Sequence, residues 1–184
     1  MKRRLLILSV LAICIATITV GSLAYFTAEG TARNVITTGG VAIAVREWAD
    51  ADKQTPFEDL EDIMPGTVVT KIAEIQNTGA SDAWIRVRVT KDIRLAGDGT
   101  ADLSLVELDL NLEDWTLGED GYLYYNSAVK PGEVTEPIFT TVTFRAEMGN
   151  EYQNATATVD VAAQAVQTAN NGTNAMDAQG WPEA

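Results

Sequence analysis

Alternating apolar and polar positions run through most of the chain after residue 40, and they predict strands. In VAIAVREW (41–48), Val41, Ile43 and Val45 fall on one side, the period of a half-buried strand. DAWIRVRVT (82–90) sets Ile85, Val87 and Val89 against Trp84, Arg86, Arg88 and Thr90. PIFTTVTFRAE (137–147) brings Ile138, Thr140, Val142, Phe144 and Ala146 into phase. TATVDVAAQAVQ (156–167) aligns Ala157, Val159, Val161, Ala163 and Ala165, with Thr158, Asp160 and Gln164 opposite. KIAEIQN (71–77), LYYN (123–126) and the stretch 106–112 add further strands. In that last stretch Val106, Leu108, Leu110 and Leu112 alternate, although the leucines of ADLSLVELDLNLEDW also fit a short helix.

Turn residues separate these segments. MPGT (64–67) and KPGE (130–133) read as Pro-Gly turns, and NTGASD, AGDGTAD and GEDGY as Gly/Asp/Asn loops. About seven short strands with such punctuation predict an all-β chain, a two-sheet sandwich or jelly roll. Two segments differ in character. EWADADKQTPFEDLED (47–62) is an acidic insertion between strands, and the chain after Gln167 is polar and small apart from Met176 and Trp181, the composition of a loosely held end.

Ahead of the strands lies a different pattern. Lys2, Arg3 and Arg4 precede the uncharged run LLILSVLAICIATITV, and Ser22 and Ala24 place small residues at −3 and −1 of a cut before Tyr25. This predicts a signal helix over residues 1–24, removed on export. An uncleaved membrane helix over 5–24 is the alternative, but Thr17, Thr19, Gly21 and Ser22 dilute its end and no basic cluster follows. The predicted organisation is a signal peptide (1–24), an N-terminal arm (25–40), a sandwich domain (41–168) and a polar C-terminal tail (169–184).

Charge and composition narrow the function. The 184-residue chain carries −13, and the leader holds three of its 13 basic residues and none of its 26 acidic ones. The remaining 160 residues then carry 10 basic against 26 acidic groups. That balance argues against nucleic acid and anionic lipid, both of which need excess Lys and Arg. Cys14, the only cysteine, falls in the leader, and there is no histidine. The cleaved chain therefore has no disulfide, no Ser-His-Asp or Cys-His nucleophile and no His- or Cys-based zinc site, and no cofactor is expected.

Other chemistry rests on weaker patterns. Asp50, Asp52, Glu58, Asp59, Glu61 and Asp62, or Asp98 with Asp102, offer oxygen ligands for calcium, against a solvated acidic loop as the plain reading. Carboxylate pairs for glycoside chemistry would occur in any chain this acidic. Trp84, Trp115, Tyr122, Tyr124 and Tyr125 fit either a sugar-stacking surface or ordinary packing, and an exposed Trp84 beside Arg86 and Arg88 would suit an acidic neighbouring subunit. Asn154-Ala155-Thr156 and Asn171-Gly172-Thr173 match glycosylation acceptors by chance. Lys71, Lys91 and Lys130 are candidates for isopeptide crosslinks, with no partner singled out.

The leader ending in LAYFT, the first strand VAIAV and the run MPGTVVTKIAEIQNTGASDAWIRVRVT together resemble the TasA/camelysin-type exported proteins of Gram-positive bacteria. DWTLGEDGYLYYNSAVKPGEVTEPIFTTVTF and GNEYQNATATVDVAAQAVQ are similar to the clostridial-type members of that group, so the likeness covers nearly the whole chain. It implies a secreted subunit of biofilm matrix fibres, with a jelly-roll-like sandwich and a leader cut by a SipW-type signal peptidase. It also implies polymerisation with other copies, or with related matrix proteins, in which the N-terminal segment of one subunit fills a groove in the next by β-strand addition. Position and composition then make Tyr25 to Thr38 the donor segment, with Phe26, Val35 and Ile36 for pockets and Gly39-Gly40 as hinge. The other readings are a secreted binding module for polysaccharide or a cell-surface partner, and a metallopeptidase as described for camelysin. The last lacks a His-Glu-x-x-His helix here.

Overall fold

The computed structural model of the chain describes residues 35–37, 40–58 and 64–182, the first three by their backbone. The predicted signal helix with Ser22 and Ala24, and the arm residues Tyr25 and Phe26, lie outside the described residues. Among the described residues nine strands follow in order: β1 (Val35–Thr37), β2 (Ile43–Trp48), β3 (Val68–Asn77), β4 (Ala83–Arg94), β5 (Val106–Leu108), β6 (Trp115–Leu117), β7 (Leu123–Tyr125), β8 (Phe139–Phe144) and β9 (Thr156–Gln167). The helical content among the described residues is two 3-10 turns, Leu103–Leu105 and Asn150–Tyr152, and no helix there is long and apolar enough to cross a membrane. The all-β prediction holds.

The strands form two sheets, ordered β1-β9-β4-β7-β6 and β2-β3-β8-β5. Their ladders are antiparallel except for β1, which runs parallel to β9. The longest ladder joins β4 and β9 over the full 12 residues of each, from Ala83 opposite Gln167 to Arg94 opposite Thr156. Ile85 and Val87 on β4, and Val161, Ala163 and Ala165 on β9, enter one apolar cluster with Ile43, Val45, Ile75, Phe139, Val142 and Phe144 of the other sheet. Each large side chain buried there stabilises the fold by roughly 1.5–3 kcal/mol. The alternation in the sequence is the imprint of this shared core.

Both Pro-Gly turns form. Gly66 and Gly132 have φ of +83° and +84°, and the N–H groups of Thr67 and Glu133 donate to Met64 and Lys130 at 3.1 and 3.0 Å, the type II pattern that needs glycine at its third position. The leucine-rich stretch resolves the helix-or-strand question by dividing. A 3-10 turn covers Leu103–Leu105, the strand Val106–Leu108 follows, and the chain then leaves the sheet. Asp109 causes the exit: its carboxylate accepts from the N–H groups of Thr140 and Thr141 at 2.8 and 2.6 Å and from the Thr140 hydroxyl. Leu110 and Leu112, in phase with Val106, are exposed as a result.

Alternation fails where a second layer covers the outer face of a sheet. In β3, every residue from Lys71 to Ile75 is buried. Part of the acidic insertion folds against it as a hairpin, with Ala49 N–H donating to Thr55 O at 2.9 Å and Phe57 N–H to Glu47 O at 3.0 Å. Trp48 Nε1 donates to Glu74 at 2.9 Å, and Lys53 pairs with the same carboxylate.

The C-terminal segment covers the other sheet, which corrects the expectation of a loosely held end. Ala175 and Ala178 are buried with Trp84, Tyr122, Tyr124 and Val166 in a second apolar cluster, and Trp181 packs against it. Trp84 Nε1 donates to Asn171 O at 2.8 Å, while the Asn171 side chain bridges Gln167 O and Gln179 at 3.1 and 2.8 Å. The cause is the apolar outer face of β4 and β9, which needs a cover that the polar composition of the tail concealed.

Candidate assembly surface

The predicted donor segment is described at its C-terminal end. Val35, Ile36 and Thr37 pair with Ala163, Gln164 and Ala165 on the outer edge of β9. Gly40, at φ +72°, then leads into the buried Val41 and across to β2 in the other sheet. The backbone of Val35 and Ile36 thus already extends a sheet by strand addition, within its own chain. Gly39 and residues 25–34 lie outside the described residues.

Upstream of Ala163, the β9 edge is fitted with charge. Lys71 Nζ donates to Val159 O at 3.4 Å and lies 3.1 Å from Glu47 Oε1 and 4.5 Å from the centre of the Phe57 ring. The two charged side chains are only 7% and 10% exposed. An inward-pointing ion pair at a sheet edge resists the approach of a further strand, because that strand would have to displace desolvated charges.

The second side of β4 is finished differently. It pairs with β7 at Arg86 and Val87, and Ala83 bridges to Val129. From Arg88 to Arg94, β4 has no strand partner on this side among the described residues, although its other side is paired throughout. Beside this stretch runs a groove of about 390 Å³ lined by Val89, Lys91, Glu107, Leu108 and Leu110. Lys91, one of the lining residues, donates to the carbonyls of Leu103 and Val106 at 3.0 and 2.5 Å.

The aromatic residues singled out in the sequence do not form a surface. Trp84 is 8% exposed beneath the C-terminal segment, and Trp115 is buried, donating to Glu136 O at 3.1 Å and lying 5.0 Å from Tyr125 between ring centres. Arg86 sits 4.0 Å from the Tyr122 ring and 4.6 Å from the Trp181 ring, and donates to Gln164 Oε1 at 2.8 Å and Tyr124 OH at 3.0 Å. The neighbour that Trp84 and Arg86 dock is therefore their own chain. Tyr124 donates to Asp120 at 2.8 Å. Burial, opposed by Arg86 and aided by Asp120, pushes the Tyr124 hydroxyl up. Burial raises Asp120, but hydrogen bonds from Tyr124 and the Tyr122 N–H, with the charge of Arg86, outweigh it and hold the carboxyl below its ordinary range.

The remaining candidates resolve into local structure. Asp50 accepts from the N–H groups of Gln54 and Thr55 at 3.2 and 2.7 Å, and its hydrogen bonds, that from the Thr55 side chain foremost, hold it low. Asp102 caps the 3-10 turn through Ser104 N–H at 2.9 Å. Among the described residues no three acidic side chains converge as metal ligands. Of the lysines, Lys71 faces Glu47, Lys91 faces backbone carbonyls and Lys130 faces Glu133 at 3.7 Å. Sequence reasoning missed Asn171 and Glu74 as structural polar groups. The lone Trp181 in a polar tail was the one signal of the cover. Compared with family models, with curated proteins and with solved structures, the chain matches none.

Proposed function

We propose that this chain is an exported, non-enzymatic structural subunit of extracellular matrix fibres, of the TasA/camelysin type, released by a SipW-type signal peptidase and polymerising through its N-terminal arm. The carrying observation is the strand addition of Val35–Thr37 to β9: the segment that follows the predicted cut forms sheet through backbone pairing, the mode that confers affinity in strand-addition assemblies. The architecture we infer is a two-sheet sandwich with jelly-roll-like connectivity. From β3 to β9 the chain crosses between sheets at every step except the β6–β7 hairpin, and β9-β4-β7 opposite β3-β8-β5 matches the interleaving of a jelly roll. The parallel β1 is what departs from that plan. Deleting residues 25–38 is expected to leave a folded monomer by circular dichroism that forms no polymers under the electron microscope. Fibres of normal length from that truncation would overturn the proposal.

A further inference from the structure

The C-terminal cover hangs from one residue. Asn171 Nδ2 donates to Gln167 O and Gln179 O at 3.1 and 3.0 Å, and its Oδ1 accepts from the Gln179 N–H at 2.8 Å. Its own carbonyl accepts from Trp84 Nε1 at 2.8 Å. Both ends of the side-chain amide are in use, so the site distinguishes Asn from Asp. A carboxylate there would set anionic oxygen against the carbonyls of Gln167 and Gln179 and would lose both donated bonds. The next residue is fixed as firmly. Gly172 has φ +70°, and a Cβ on it would stand 3.0 Å from the backbone nitrogen of Ala178, so a side chain strains the turn. The fold thus requires, at the root of its cover, the only Asn-Gly pair in the chain. Asparagine is thermolabile, and before glycine its amide is lost most readily, because the following nitrogen is unhindered. We propose that Asn171-Gly172 is a deamidation site that acts as a one-way release of the segment 168–182 from the outer face of β4 and β9.

The step needs only water as co-reactant. The Gly172 nitrogen gives up its proton and bonds to Asn171 Cγ, the Cγ–Nδ2 bond breaks, and Nδ2 leaves with that proton as ammonia. Water then adds to one of the two carbonyls of the resulting succinimide and opens the ring, leaving aspartate or isoaspartate. Nothing is oxidised or reduced. While the cover is docked, its hydrogen bonds hold the amide in place, so conversion proceeds through local opening of the segment. Redocking is then opposed by the new charge and, in isoaspartate, by a lengthened backbone. Release bares Trp84, Tyr122, Tyr124 and Val166, which the cover buries together with Ala175 and Ala178, and removes the Trp181 ring from its place 4.6 Å from Arg86. A sealed face becomes an exposed apolar patch, through a local change in charge and hydrogen bonding. The device works whether or not the chain forms fibres.

Ageing the chain at mildly alkaline pH tests the release, with peptide mapping for aspartate and isoaspartate and hydrogen–deuterium exchange of residues 168–182 on the same samples. Asn171 is expected to convert ahead of the other asparagines, and exchange in 168–182 to rise in step with its conversion. Asn171→Asp should show the released state from the start, that segment exchanging at least about tenfold faster than in the wild type, the worth of the hydrogen bonds lost. Asn170→Asp adds the same charge on an exposed neighbour and should stay docked. The aged wild type, folded before it converts, keeps the test decisive should Asn171→Asp fail to fold. An aged chain that retains the Asn171 amide, or one that converts and stays as protected as fresh protein, would overturn the proposal. So would equal release by Asn170→Asp, or wild-type exchange in a folded Asn171→Asp chain.

Discussion

The outer edge of β9 and the second side of β4 are both lanes where a ladder stops short, yet they are finished in opposite ways. On β9, three residues of the arm pair with the backbone and a desolvated ion pair occupies the next stretch. On the second side of β4, pairing ends after Val87 and a groove follows whose lining mixes Val89, Leu108 and Leu110 with Lys91 and Glu107. The difference teaches that strand content alone does not locate an assembly site. Unpaired backbone beside exposed apolar side chains occurs at more than one place among the described residues, on the second side of β4 and along the edge strand β6, where Leu117 is exposed.

Removing the guard should produce the largest effect. Lys71→Met leaves Glu47 buried without its partner and is expected to cost about 3–5 kcal/mol in denaturant unfolding, with most of it recovered when Glu47→Leu is added, because the double change removes both charges. A cost under about 1 kcal/mol would mean that the pair is solvated and the β9 edge unguarded, and the contrast with β4 would collapse.

A smaller, pH-dependent effect sharpens the other lane. The β6–β7 hairpin closes only the start of β4's second side, and Asp120 pins it through Arg86 at 3.4 Å and Tyr124 at 2.8 Å. The Asp120 carboxyl is depressed in the folded chain, so its contribution is fully present above the unfolded value of about 3.9 and is lost as pH falls through the lower folded value. Its side chain is 45% exposed, which keeps the contribution under about 1 kcal/mol. Asp120→Asn should therefore lower the thermal midpoint slightly at neutral pH, and the gap to the wild type should close in acid. A gap that widened in acid would contradict this role.

Much of the fold was legible from pattern. The periods of 82–90 and 156–167 correspond to β4 and β9 because one face of each meets a dry core, and the two Pro-Gly turns stand where their chemistry placed them. What escaped is everything that depends on a second cover. Alternation reports one buried face, so it missed that Trp84 is sealed by Asn171 and Trp181, roughly ninety residues away, and that Lys71 to Ile75 are buried on both sides. The alternation of Leu108, Leu110 and Leu112 likewise outran its strand, because Asp109 takes the backbone of Thr140 and Thr141 and turns the chain away. The arm residues Val35 and Ile36 could be singled out by composition, but no pattern in the sequence indicates that a lane beside β4 stands open. That is a property of strand order.

The most direct test is a cryo-electron microscopy map of fibres grown from the secreted chain, at a resolution that traces strands. The account predicts the N-terminal arm of one subunit, residues 25–38, as an added strand on a sheet of the next. Subunits joined through other surfaces, with no strand added from the arm, would contradict it.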